Sequence, residues 1–341
     1  MRQAVTVAPR LLEIHDVPEP VATAGQAIIE VDAVGLCAGD LMFYTGEHPY
    51  VTYPNTQGHE FSGRILSFGE GYNGALSVGE RVSVEPLIPC FTCLPCRRGR
   101  PNCCTRLQVI GAHVPGGLAE RVALPTRTLY SAAGLDAELG ALVEPISIGL
   151  HGVRRSRLER DDRMVVFGAG PIGQAVILAA RDIGARVVAV DRLPTRLELA
   201  TRFGAELTVD ASFEDPAQVI AEWTSGDGPV VAIEATGVPD VVRQAIDVVA
   251  SSGTVVVIGL SSSEVHLPMI EFTRKEISVV GSRNSTGIFG EAVDLVRRKA
   301  DAVRDLVTHR FPFERAGEAI EFTLANRAHA EKVMVHMRPL A

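Results

Sequence analysis

Two rhythms of apolar residues divide the chain. Up to about residue 145 the apolar positions fall in short β-branched stretches, "QAIIEVDAVGL", "FSGRILSFG" and "GERVSVEP", cut by glycine and proline. Such stretches predict many short strands joined by glycine turns, and hence a partly open barrel or sandwich. From about residue 150 strand patterns alternate with helical spacing. "MVVFGAG" predicts a buried strand, and "PIGQAVILAARDIG" a helix whose apolar positions are Ile172, Val176, Ala179, Ala180 and Ile183. "RVVAVD", "ELTVD", "PVVAIEATG" and "GTVVVIG" predict further strands; "PTRLELATRFG", "AQVIAEWTS" and "DVVRQAIDVVA" predict helices. Proline at the start of "PTRLELATRFG" and glycine past its end mark the bounds of that helix. This alternation means a parallel sheet covered on both faces. After "EISVVGS" a helix, "FGEAVDLVRRKA", and a mixed tail close the chain, with no internal repeat and no low-complexity segment.

Composition narrows the class. A chain of 341 residues suits two domains, and 46% hydrophobic residues with 32 glycines fit a folded α/β protein rather than a disordered one. A net charge of -8 argues against a nucleic-acid partner, which needs a basic footprint. The local run Arg97, Arg98 and Arg100 reads as a solvated loop face. No apolar run reaches membrane-spanning length free of charge, and "MRQAVTVAPRLLEI" has no apolar core of a signal peptide. The expectation is a cytoplasmic protein with no membrane partner. In a reducing cytosol, clustered cysteines read as metal ligands rather than disulfides.

"GAGPIG" places Gly168, Gly170 and Gly173 in the pattern G-x-G-x-x-G. The pattern is weak alone, but here it follows a strand, opens a helix, and has an acid, Asp191, at the end of the next strand. The first glycine permits the tight turn, the second lets backbone approach a pyrophosphate, and the third lets helix and strand pack closely. The helix N-terminus offers N–H groups and a positive dipole end to the phosphates. Asp191 is expected to accept from the adenosine ribose hydroxyls and to repel a 2′-phosphate, favouring NAD; Arg192 could receive that phosphate if Asp191 turned aside. Pro171 and Ile172 in the turn, with Arg196, Thr236, Ile258 and Gly259, complete the expected cofactor set.

Five of the six cysteines lie in "CFTCLPCRRGRPNCC". Cys90, Cys93, Cys96 and Cys104 have the spacing of a closed four-thiolate zinc site, the structural type, with Gly99 and Pro101 helping to turn the chain back. Cys103 competes with Cys104 for the fourth place. Cys37, His59, Glu60 and Glu144 lie far apart in sequence. Taken singly, Cys37 reads as a core cysteine, His59 as a turn histidine and Glu144 as a helix-start charge, so spacing alone does not unite them.

"GLCAGD", "GHEFSG", the four-cysteine loop, "EPISIGLHGV", "GAGPIG" and "VTHRFPF" occur together, in one order, over essentially the whole chain. In this the chain resembles the zinc-dependent medium-chain dehydrogenases/reductases, and within them the polyol branch typified by sorbitol dehydrogenase, with its relatives acting on hexonates such as L-galactonate, L-gulonate and L-idonate. The resemblance implies a GroES-like β-barrel catalytic domain, residues 1–147 and 284–341, and an inserted Rossmann NAD-binding domain, residues 148–283, with the active site in the cleft between them. It implies Cys37 and His59 as catalytic zinc ligands, Glu60 as a ligand or one that exchanges with a ligand, and Glu144 as binding zinc directly or through water. Phe43, Tyr44 and Arg283 are implied around the substrate. Where the branch carries serine or threonine two residues past the zinc cysteine, this chain has Gly39. Its proton relay must use bound water, Glu144 or the substrate's own hydroxyls. The activity so implied is oxidation of a secondary hydroxyl of a polyol or sugar acid to a ketone with hydride transfer to NAD. The alternatives are a threonine or simple alcohol dehydrogenase on the same fold, a zinc-free reductase, or a silent NAD- and zinc-binding regulatory protein. A homo-oligomer, dimer or tetramer, is the family habit, with "GTVVVIG" as the strand that would extend a sheet across it.

Overall fold

Eleven residues, Gln26–Leu36, form the strand around which the first unit is organised. It pairs antiparallel with Glu60–Phe68, with Arg121–Pro125 and with Lys332–His336. Its register with Glu60–Phe68 shifts twice, and such bulges bend and twist a strand pair. The sheet continues through Arg81–Val84 to Leu129–Ser131 on one side and ends at Val307–Pro312 on the other, seven strands among the described residues. One stretch of the core is formed by Ile29, Phe61, Ile65, Leu118 and Phe313, all buried. The computed structural model describes residues 1–48 and 52–338.

Contacts divide the chain into two units, Met1–Glu144 with Phe289–Ala341, and Pro145–Ile288. Both crossings differ by a few residues from those expected at 147/148 and 283/284. The first lies inside the continuous helix Ala137–Ser156, in which Pro145 stands, so no linker composition marks it. On the first unit's side Glu138 ties that helix to the chain's last strands. Its carboxylate accepts two bonds from Arg310 (2.7 and 2.8 Å) and faces His336 Nε2 at 2.8 Å. Burial would push this carboxyl up, but the bonds from His336 and Arg310 hold it at about 2.

The second unit is a six-stranded sheet in the order Leu207–Asp210, Arg186–Asp191, Arg163–Phe167, Val231–Glu234, Thr254–Val257, Ser278–Gly281, parallel throughout. The expected helix after the glycine turn spans Pro171–Asp182. It buries Ala175, Ile177 and Leu178 as well as the spaced positions Val176, Ala179 and Ala180. One expectation is corrected. The "GTVVVIG" strand, Thr254–Val257, lies inside the sheet and has no open edge, because "EISVVGS" adds the outer strand Ser278–Gly281. Among the described residues no helix is long and apolar enough to cross a membrane.

Candidate functional site

The helix Ala38–Thr45 begins at Cys37, and its first turn carries the organising acid of the first unit. Asp40 is fully buried. Its Oδ2 accepts from the Cys37 N–H at 2.9 Å and its Oδ1 from the Gly58 N–H at 3.2 Å, while His59 Nδ1 lies 3.5 Å from Oδ1. One carboxylate thus fixes the backbone of the cysteine and the ring of the histidine, leaving Nε2 for a ligand. Burial would depress the His59 imidazole, but the charge of Asp40, with Cys37 adding, raises it well above its ordinary value. Gln57 braces the arrangement, donating to the Asp40 carbonyl at 2.5 Å and accepting from Thr6 Oγ1 at 2.6 Å. No motif in the sequence singles out Asp40. The signal was present in the three-residue step from Cys37 to Asp40, the spacing of a reciprocal helix cap.

Glu60 starts the next strand, opposite Gly35. Lys332 reaches it from the other neighbour of the same central strand. Lys332 Nζ donates to Glu60 Oε1 at 2.8 Å and Oε2 at 2.6 Å, and to the Leu36 carbonyl at 3.4 Å. Both side chains are buried, 3% and 1% exposed. Gly35 is the space between them, since a Cβ there would stand 2.5 Å from Glu60 Oε2 and 3.3 Å from Lys332 Cδ. Lys332 carried no sequence signal, because only the strand register joins residues so far apart.

Donor atoms of Cys37, His59 and Glu60 all lie within 4.8 Å of one another. A thiolate, an imidazole and a carboxylate so disposed suit zinc with an open position. Glu144, on the helix Ala137–Ser156, is buried beside them but outside that trio. Burial pushes its carboxyl up to about 7, with His59 opposing and Glu60 adding to the rise. Gly39 faces the same place, 3.8 Å from His59 Cε1 to a Cβ built on it, and brings no hydroxyl. Phe43 is buried and stacks on His48, ring centres 4.0 Å apart. Tyr44 is a core residue whose single hydroxyl proton has two acceptors within reach, the Arg10 carbonyl (3.0 Å) and the Glu321 carboxylate (2.9 Å). Arg283 lies exposed in the second unit, just past the strand Ser278–Gly281.

The second donor set is Cys90, Cys93, Cys96 and Cys104, again within 4.8 Å, and Cys103 is not a member. Backbone N–H groups of Cys93 and Arg106 donate to the Cys90 and Cys104 sulfurs at 3.4 and 3.3 Å. Four sulfurs this close cannot all be charged without a cation, and their thiols are driven apart. Bonds from Thr92 bring Cys90 down to about 5, whereas desolvation and the neighbouring sulfurs push Cys96 up to about 12. A dication relieves that crowding, and four thiolates leave no open position, which suits a structural zinc. Cys93→Ser is expected to lower metal content by about one zinc per chain and to lower the melting temperature. Metal analysis and thermal melting check this. Wild-type protein that is fully active with a single zinc would contradict two sites.

In the second unit Gly168 has φ +91°, and a side chain on Gly173 would collide with the Gly168 carbonyl. The Asp191 carboxylate is anchored by three backbone N–H groups, Ala169 (2.7 Å), Arg192 (2.7 Å) and Leu193 (3.0 Å). Arg196 stands 3.9 Å from it and lies over Gly170, whereas Arg192 is exposed. The Thr236 methyl packs against Gly168, and Ile258 and Gly259 follow the strand Thr254–Val257.

Comparison with known proteins finds two domain matches along the chain. Residues 23–134 match the alcohol dehydrogenase GroES-like domain, and residues 171–298 match the zinc-binding dehydrogenase domain. The chain is 34% identical to L-galactonate-5-dehydrogenase of Escherichia coli K12, covering 93% of each chain, and 31% identical to sorbitol dehydrogenase of Bombyx mori, covering 96% of each. Among solved structures, the short chain alcohol dehydrogenase rspB of Escherichia coli CFT073, complexed with NADH, superposes with a TM-score of 0.92 at 29% identity, over 99% of both chains. Such identity across nearly the whole length settles kinship: this chain belongs to the zinc-dependent medium-chain dehydrogenases/reductases, oxidoreductases with a GroES-like catalytic domain and a Rossmann domain that use zinc and NAD(P).

Proposed function

We propose that this enzyme oxidises a secondary hydroxyl of a polyol or sugar acid to a ketone, with NAD as the hydride acceptor. The observation that carries the reading is the trio Cys37, His59 and Glu60, three donors of different chemistry within 4.8 Å of one another, with a buried aspartate against the first two. Zinc held there supplies Lewis acidity toward the substrate hydroxyl, and NAD bound at the glycine turn supplies the hydride acceptor. The chain's own residues do the rest. Asp40 keeps Cys37 and His59 in place, and Lys332 neutralises Glu60. With Asp40 engaged by Cys37 and Gly58, Glu60 by Lys332, and no hydroxyl at Gly39, we assign the departing proton to the Glu144 carboxylate. Arg283 is proposed as a clamp for the carboxylate of a sugar acid. The polyol or aldonate class rests on the relatives that act on such compounds.

A screen of NADH formation across four- to six-carbon polyols and aldonates tests the substrate class. Turnover is expected with members of those classes. Turnover with threonine or simple primary alcohols alone would move the enzyme to another branch, and none with any compound at full zinc occupancy would leave a binding protein.

The cofactor preference follows from Asp191. Its carboxylate would meet the ribose hydroxyls and repel a 2′-phosphate, so NAD is proposed over NADP. Asp191→Ala is expected to weaken NAD roughly tenfold and to narrow the gap to NADP, because it removes acceptor, charge and the anchor of the glycine turn together. Titration with both cofactors checks this. A wild type that prefers NADP would hand the pocket to Arg192 and Arg196.

We also propose a homo-oligomer. The outer strand Ser278–Gly281 has an open edge, and Met269, Ile270 and Val279 nearby in sequence are exposed.

A further inference from the structure

We infer that Glu234, a buried carboxylate with no part in the chemistry, is a positioning residue that keys three loops of the dinucleotide site to one another. The inference rests on the reading of the second unit as that site. It starts from topology. Strand Arg163–Phe167 has Arg186–Asp191 on one side and Val231–Glu234 on the other. The chain therefore runs outward in opposite directions from the gap between Arg163–Phe167 and Val231–Glu234. Ligands of doubly wound sheets sit outside the carboxyl ends of strands at such a switch point. Glu234 is the last residue of its strand, directly opposite Phe167, and is 0% exposed.

Its carboxylate is spent on the protein. Oε1 accepts from the Thr236 N–H (2.5 Å), the Thr236 hydroxyl (2.5 Å) and the Gly237 N–H (2.7 Å). The Thr236 hydroxyl, its proton given to Glu234, accepts from the Val238 N–H at 3.0 Å. That fixes the threonine rotamer and lays its methyl against Gly168, the first glycine of the phosphate turn. The Glu234 main-chain carbonyl accepts from the Ile258 N–H (2.9 Å) and the Gly259 N–H (3.2 Å). Oε2 has no hydrogen-bond donor and lies 2.7 Å from where a Cβ on Gly259 would stand. Gly259 in turn is pressed against Gly237, which has φ +74°. The turns after Phe167, after Glu234 and after Val257 are thus held in one register through a single side chain and its carbonyl.

The consequence is directional. Asp191, which marks the adenosine half, ends the strand on the far side of Arg163–Phe167 from Glu234. Glu234 governs the loops on the other side, where the nicotinamide half must cross. Loss of Glu234 is therefore expected to weaken a whole dinucleotide and to spare its adenosine end.

The test uses the zinc-loaded full chain, with NADH binding followed by fluorescence and AMP binding by calorimetry. Glu234→Leu keeps bulk and removes every acceptor; Thr236→Val keeps shape and removes one hydroxyl, and serves if the first variant does not fold. Expected are NADH dissociation constants raised about tenfold or more in Glu234→Leu and about threefold in Thr236→Val, with AMP unchanged within about twofold and zinc content unchanged. Glu234→Gln, which keeps one acceptor oxygen, is expected to recover most of the loss. Equal weakening of NADH and AMP, or an unchanged NADH constant in the variants that fold, would overturn the inference. A wild type that binds neither ligand would instead remove the dinucleotide reading on which it stands.

Discussion

His59→Ala is expected to give a folded, NADH-binding protein that has lost at least about a thousandfold in turnover. The trio of the first unit has one nitrogen donor, and it is the donor whose orientation is most firmly set, by Asp40 on Nδ1. Alanine leaves Cys37 and Glu60, and Glu60 is already shared with Lys332. Two donors, one of them engaged elsewhere, hold a cation poorly. The four-cysteine set lies on its own loop and is untouched, so metal content should fall from two zinc ions per chain to about one. The fold should survive, since His59 is not part of the apolar core of the first unit and its 19% side-chain exposure leaves room for truncation. Steady-state rates, metal analysis and NADH titration on one preparation separate these effects. Near wild-type turnover in this variant would take the catalytic metal away from the trio.

Lys332→Met is expected to cost about 3–5 kcal/mol of stability, the usual penalty for stripping one partner from a buried ion pair. Lys332 Nζ fills its donors with both Glu60 oxygens and the Leu36 carbonyl. Methionine fills the same channel and leaves a carboxylate in the interior with its counter-charge gone. The double variant Glu60→Gln with Lys332→Met removes both charges and should recover most of the loss, because the expense lies in the uncompensated charge rather than in the missing bonds. Thermal and denaturant unfolding of both variants, measured on chelator-stripped protein so that zinc at the trio does not compensate Glu60, check the cycle. Additive losses in the double variant would show that the two residues stabilise the fold independently.

How far the sequence reaches differs from residue to residue. The glycine turn, Asp191 and the four cysteines were legible because each depends on neighbours close in the chain, where spacing is geometry. Cys103 and Cys104 could not be told apart by spacing, and the short turn Pro101–Cys103 decides which sulfur faces the others. The trio was invisible to spacing, since Cys37 follows the end of one strand, Gln26–Leu36, while Glu60 begins the next, and only the antiparallel pairing of those strands closes the gap. Lys332 lies a further step away, on a strand that joins the sheet after the whole second unit has intervened. Glu234 was read as part of a strand because burial, not pattern, reveals its role. Tyr44 was placed near substrate by resemblance, and its bonds to Arg10 and Glu321 could not be foreseen from residues so remote.

The most direct measurement is zinc-dependent turnover. Protein stripped by a chelator is titrated with zinc while NADH formation is followed on the best substrate of the polyol and aldonate screen. Turnover should vanish on stripping and return as zinc is restored toward two ions per chain, and His59→Ala should regain metal at the cysteine loop without regaining turnover. Undiminished turnover by metal-free protein would contradict the account.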